Sequence, residues 1–179
     1  MQAERRTPLK SSRANSARRL FILISTLTFT LDLATKNWAE RFLQGRDSIK
    51  VIGEFLQLTY ATNPGAAFSF FEDATLLLSA LKLTVVGFII FFIRQVTNKY
   101  WASSLALLFG GVLGNLYDRA LRPPGVWRGE VIDWIELPNW PVFNLADSAI
   151  VIAGIAMTIL AVFNISHISK EDEKDSTNE

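Results

Sequence analysis

The residues of this chain that could do chemistry are mostly aspartates and asparagines. Asp147 follows Asn144 by three positions at the start of an apolar run, so on a helix both face the same way. Asp32 precedes Lys36 by four. Asp118 stands beside Arg119 and three after Asn115, and Asp133 lies between two proline-containing stretches. The remaining inventory is narrow. The 179 residues include no cysteine and a single histidine, His167. A cysteine nucleophile, a disulfide, a thiolate zinc site and lipid attachment to a cysteine of this chain are therefore excluded. One histidine cannot build the ligand set of a zinc protease. His167 also lies beyond the last apolar run, away from the aspartates, where a polar residue at a membrane surface is expected. Carboxylates remain. Two of them held close share one proton, because like charges near each other cannot both ionise easily. One then acts as base toward water while the other protonates a scissile carbonyl. The same inventory suits a transporter that carries protons or cations on intramembrane carboxylates.

The elements that must position these groups are membrane helices. Half of the residues are hydrophobic and the net charge is +1, so no overall field points to nucleic acid. The apolar residues gather in runs at 20–38, 74–93, 101–117 and 142–163. A span needs about 20 residues at 1.5 Å rise. The first two runs reach that length, and the last two reach it only with their polar ends. The expectation is an all-α membrane protein of four transmembrane helices, at about 20–43, 74–96, 100–120 and 142–167. A basic tail, 1–19, carries Arg5, Arg6, Lys10, Arg13, Arg18 and Arg19, which places both termini in the cytoplasm. Arg94 and Lys99, in the short second connection, agree. No small-residue cleavage site follows the first run, so it reads as a retained helix and signal anchor. The polar, mostly acidic tail 169–179 should be solvated. Outside the bilayer, 44–73 is rich in β-branched and aromatic residues and predicts a small strand-containing cap. The segment 120–141, with Trp127, Trp134 and Trp140 at headgroup level, predicts an irregular outer loop with a short interfacial helix.

Counting along these helices puts the aspartates at one depth. Asp32 falls roughly 18 Å from the cytoplasmic end, Asp118 roughly 26 Å and Asp147 roughly 24 Å. Asn115 and Asn144 join them one turn away. A buried ionisable group in a membrane is costly and suggests function, and depth alone pairs Asp147 with Asp118. Simpler readings stand beside it. Asp118 and Arg119 suit an ion pair at a helix end, Asp32 and Lys36 an intrahelical pair, and Lys82 snorkelling or packing. Gly110 and Gly114 form a small-xxx-small pattern that lets helices approach closely. "TNPGAAFS" at 62–69 reads as a turn, or as a site element whose Asn63 and exposed amides bind an extended peptide backbone.

Five blocks occur in order: "LDLATK", "TNPGAAFS", "GGVLGNLYDR", "GEVIDWI" and "FNLADSAI". Together they resemble the lipoprotein signal peptidase family, also called signal peptidase II, over about 20–163. The resemblance implies a membrane aspartic endopeptidase with its site facing outward, in the bacterial inner membrane. It would cut the signal peptide from prolipoproteins just before a diacylglyceryl-modified cysteine, as a monomer without metal or cofactor, with membrane lipid around it. It implies a catalytic pair of Asp133 and Asp147, which replaces the depth-based choice of Asp118. Asn63, Gly65, Asn115, Asp118, Arg119, Asn144 and Ala146 become substrate-binding or supporting positions, and Asp32 and Lys36 lie near the mouth in packing or substrate entry. This chain departs from the family pattern in a long stretch between Asp118 and Asp133 and a short one between Asp133 and Asp147. Rival expectations are a small proton-coupled transporter, a lipid-binding membrane protein or a structural subunit. The first two would show flux or ligand binding without cleavage, and both leave Asp133 without a role.

Overall fold

The computed structural model describes residues 7–65 and 74–169. Arg5, Arg6, the latter half of "TNPGAAFS" and the acidic tail from position 170 lie outside them. Four helices and three strands follow in the order α1 (Thr7–Leu43), β1 (Ile49–Ile52), β2 (Leu56–Asn63), α2 (Ala74–Phe92), α3 (Lys99–Leu121), β3 (Val131–Glu136) and α4 (Leu145–Val162). A 3-10 turn, Ile93–Gln95, ends α2.

The buried positions of α1 are Ala17, Phe21, Ser25, Asp32, Lys36, Ala39 and Leu43. Their spacings of three, four and seven define one stripe facing the bundle. The other face exposes Ile22, Leu23, Leu27 and Leu31, and α2 and α4 likewise turn Leu77, Leu81, Phe88, Ile152 and Ile155 outward. Apolar side chains on the outside suit lipid as the surrounding solvent. Residues Leu76–Gln95 and Leu145–Val162 are each long and apolar enough to cross a membrane. At 37 residues α1 is longer than expected. It reaches back through Arg13, Arg18 and Arg19, because Pro8 sits in its first turn, where proline is tolerated, and nothing after it breaks the helix. Its length of roughly 55 Å exceeds the hydrocarbon core of a bilayer, about 30 Å.

Helix α3 is the centre of the bundle and packs against both α1 and α4. Its glycines make that possible. A Cβ on Gly110 would lie 2.7 Å from Ser25 O of α1, and one on Gly111 would lie 2.6 Å from Ala146 O of α4. A Cβ on Gly114 would meet the Asp32 carboxylate itself. Facing them, α4 offers Ala146, Ala149 and Ala153. With lipid on the outside there is little hydrophobic drive between helices, so close approach of small residues supplies the contact.

The strands form one antiparallel sheet in the order β1-β2-β3. The 44–73 segment supplies β1 and β2, as its composition suggests. The third strand comes from the segment expected to be loop and short helix. Residues 122–130 are turn and coil, and "VIDWIE" pairs with β2 instead. Its alternation of β-branched and aromatic residues suits a strand, and β2 presents an open edge. Ile132 packs on Ala39 and Leu43 at the outer end of α1, so neighbouring Asp133 faces the opposite way.

Substituting Gly114 with leucine should destabilise the protein by about 1–3 kcal/mol through overpacking. Thermal unfolding in detergent measures this; an unchanged midpoint would contradict the close α1–α3 contact.

Candidate active site

Three elements converge where α3 and α4 meet the sheet. Strand β3 brings Asp133, which is 3% exposed. The chain then turns and pairs back on itself: Phe143 N donates to Ile135 O at 3.0 Å, and Ile135 N to Phe143 O at 2.8 Å. This short return sets Asn144 beside Asp133, which explains how so few residues separate the two aspartates.

Asn144 caps α4. Its side-chain oxygen accepts from Asp147 N at 2.9 Å, while Asp147 Oδ2 accepts from Asn144 N at 3.3 Å. This reciprocal box satisfies two amides that a helix start leaves open. The cap has a second use. Asn144 Nδ2 donates to Asp133 Oδ1 at 2.6 Å and lies 3.2 Å from both Ile132 O and Asn115 Oδ1. One buried amide thus touches both aspartates. Asn115 Nδ2 donates to the other oxygen of Asp147, Oδ1, at 2.7 Å. Asn63 Nδ2 donates to Asp133 Oδ2 at 3.1 Å across the β2–β3 pair. Gly65 N in turn donates to Asn63 Oδ1 at 2.8 Å. Gly65 has φ +100°, a conformation that favours glycine, and a Cβ there would lie 2.7 Å from Leu78 Cδ1.

Behind these groups lies a buried ionic cluster. Lys36 Nζ contacts Asp32 Oδ2 at 2.7 Å, Asp118 Oδ2 at 2.8 Å and Asn115 Oδ1 at 2.8 Å. Lys36, Asp32 and Asp118 are all 0% exposed. The intrahelical Asp32–Lys36 pair is therefore present, within a larger set. Asp32 Oδ1 accepts from Ala146 N at 2.9 Å, which adds a second cap to α4. Asp118 does not take Arg119 as its ion-pair partner. Arg122, one turn on, donates to Asp118 Oδ1 at 2.6 Å and to Glu40 and Asn37 of α1. Arg119 turns the other way, donates to Gly129 O at 2.9 Å, and feels the charge of Asp133 most strongly. Its Nε is buried and has no hydrogen-bond partner among the described residues.

The two aspartates sit in unequal surroundings. Asp133 is pushed up from 3.8 to about 6, first by burial and then by the charge of Asp147. The hydrogen bonds from Asn63 and Asn144 oppose this without cancelling it. Asp147 is only half-buried, so the open side of the pair lies toward it. Among the described residues no cluster of His, Cys, Asp and Glu could hold a metal ion.

The structure thus brings Asp32, Lys36, Asn63, Gly65, Asn115, Asp118, Arg119, Asp133, Asn144, Ala146 and Asp147 into one neighbourhood. Sequence reasoning missed Arg122, Glu40 and Asn37. The spacing of four between Asp118 and Arg122 is their only signal in the sequence. Lys82 lies on the α2 face that carries buried Ser79 and Ile89, with Arg119 and Asp147 among the charges acting on it.

A sequence model of the family described as "Signal peptidase (SPase) II" matches residues 24–164. A lipoprotein signal peptidase of Mycobacterium leprae is 37% identical over 145 residues, which are 81% of this chain and 72% of that protein. One from Streptomyces coelicolor is 40% identical over 151 residues, 83% and 74% of the two chains. Two solved structures of a bacterial membrane enzyme, both obtained by the in meso method, superpose with TM-scores of 0.71 and 0.72. They are 28% and 29% identical, covering 84% and 82% of this chain and 92% and 94% of their own.

Lys36→Met should cost about 3–5 kcal/mol, because it leaves the buried Asp32 carboxylate without a cation and Asp118 with Arg122 alone. Chemical unfolding in detergent would show this. A loss below about 1 kcal/mol, the size expected of a surface pair, would contradict the buried cluster.

Proposed function

The chain belongs to the signal peptidase II family, and on that premise we propose that Asp133 and Asp147 are the catalytic carboxylates of an aspartic endopeptidase. It is a membrane peptidase, and its function is removal of the signal peptide from prolipoproteins. The finer reading is cleavage just before a diacylglyceryl-modified cysteine. In this reading four helices span the bacterial inner membrane, both termini lie in the cytoplasm, the site opens outward, and the chain acts as a monomer. Transport or lipid carriage without cleavage has no support from the relatives.

The observation that carries the dyad is Asn144, whose single amide holds Asp133 on one side and caps Asp147 on the other. Together with Asn115, which donates to Asp147 Oδ1 at 2.7 Å, it ties both aspartates into one hydrogen-bonded set, with half-buried Asp147 on the open side. Asp133 keeps the shared proton, because burial and its neighbour's charge favour the neutral form. Asp147, on the first turn of α4, takes the role of base. It removes a proton from water as the oxygen attacks the scissile carbonyl carbon. Asp133 gives its proton to the carbonyl oxygen, so the intermediate forms without a full negative charge. Asp147 then passes its proton to the leaving amine as the C–N bond breaks, and Asp133 recovers its own from the diol. Arg119 sets a positive charge near Asp133. The diacylglyceryl chains rest in the bilayer and fix the depth of the cut, which is a proximity effect.

Asp133→Asn and Asp147→Asn should each abolish cleavage of a lipid-modified prolipoprotein; normal turnover by either variant would refute the dyad. Stability separates catalysis from folding. A raised pKa contributes stability below about 4 that is lost as pH rises through about 6. Asp133→Asn costs a hydrogen bond to Asn63 or Asn144 at every pH, but it should remove up to about 3 kcal/mol of the stability loss between pH 4 and pH 8 that the wild type shows. The pH profile of kcat/KM should fall on the alkaline side with an apparent pKa of about 6, and that of kcat with a higher one, because bound substrate excludes water. A rate independent of pH from 4 to 9 would contradict the shared proton.

A further inference from the structure

At the end of the bundle away from the dyad, a groove of about 440 Å³ opens between α1 and the end of α2. It lies roughly 21 Å along α1 from Asp32. Its floor is Phe21 and Ile93, both buried, and its walls are Ile22 and Ile90, 61% and 43% exposed. At its rim stand Arg18 and Arg94. Arg18 Nη2 donates to the backbone oxygen of Arg94 at 3.4 Å, which fixes Arg18 at this rim. Among the described residues neither forms an ion pair with a carboxylate, whereas the buried cations Lys36 and Arg122 both do. An anion at a rim that carries two cations without carboxylate partners is attracted by both. The catalytic account uses neither residue.

From this juxtaposition we infer that the groove binds an anionic phospholipid, its phosphate between Arg18 and Arg94 and an acyl chain along Phe21, Ile22 and Ile90. The chemistry fits each part. Guanidinium matches phosphate by paired hydrogen bonds. The groove continues from a charged rim onto outward-facing apolar side chains, which a soluble anion would not use. Basic pockets between helices at a membrane boundary take lipid headgroups for these reasons. The lipid ties the amino-terminal half of α1 to α2, two helices with few direct contacts to each other.

The test is native mass spectrometry of the full chain in micelles holding equal amounts of phosphatidylglycerol and phosphatidylcholine with the same acyl chains. Wild type should retain one phosphatidylglycerol with a preference of about 30-fold, the size expected of two basic contacts. The R18Q/R94Q variant should retain both lipids equally. R19Q, which removes a nearby charge outside the groove, should keep the wild-type preference. I90W fills the groove and leaves both guanidiniums in place, so it should also lose retention, which guards against misfolding of the double variant. Glycerol 3-phosphate should not displace the lipid. Equal retention by wild type, an unchanged preference in R18Q/R94Q, or retention by I90W would overturn the proposal. So would a loss in R19Q as large as in R18Q/R94Q, or complete displacement by glycerol 3-phosphate.

Discussion

The Lys36 ammonium, wholly buried, sets the positions of everything around it. A wholly buried ammonium must be neutralised by nearby carboxylates. Lys36 forms ion pairs with Asp32 and Asp118 and donates to Asn115, and each of those goes on to hold a different piece of the site. Asp32 caps the first turn of α4 through Ala146 N. Asn115 grips Asp147. Asp118 lies 3.4 Å from Ile132 N, next to Asp133 on β3. A single cation thereby relates α1, α3, α4 and the sheet. Arg122 takes the remaining oxygen of Asp118 and passes the contact back to α1 through Glu40 and Asn37. Removing a member leaves an uncompensated charge, so the cluster favours one geometry over others near it.

Small residues make that cluster possible. Gly114 lets α3 approach so closely that the Asp32 carboxylate occupies the place of its side chain. Gly111 and Ala146 do the same between α3 and α4. Helix packing and electrostatics are thus one arrangement, because the acids reach Lys36 only where the backbones are close. On this base Asp133 and Asp147 acquire different surroundings. One is buried on a strand between two amide donors, and the other is half-open at a helix start. The proposed proton sharing depends on that difference.

Much of this was legible in the sequence, for identifiable physical reasons. The apolar runs gave the helices, since a membrane imposes length and composition together. The β-branched and aromatic residues of 44–73 suggested a strand-containing cap, and β1 and β2 lie there. The three-residue spacing of Asn144 and Asp147 placed them on one helical face, and the cap follows from it. Three things were hidden. Depth counting set Asp118 beside Asp147, and position along a helix does not show that Asp118 meets Lys36 and Arg122. The strand "VIDWIE" was obscured by flanking prolines and glycines, and only β2's open edge makes it a strand. The partners of Asp118 were misjudged from adjacency to Arg119. Neighbours in sequence point about 100° apart on a helix, so Arg122, four residues on, is the geometric partner. The family resemblance supplied Asp133, which no periodicity could have singled out.

The most direct test of the account is the affinity of a signal-peptide analogue whose scissile amide is replaced by a tetrahedral hydroxyl centre. Binding would be measured on the wild type and on variants with either Asp133 or Asp147 changed to Asn. A paired dyad predicts that the wild type binds the analogue at least about 10²-fold more tightly than the matching amide. It also predicts that each substitution removes that advantage. Equal affinity of all three proteins for the analogue would contradict the assignment of Asp133 and Asp147 as the groups that meet the reacting carbonyl.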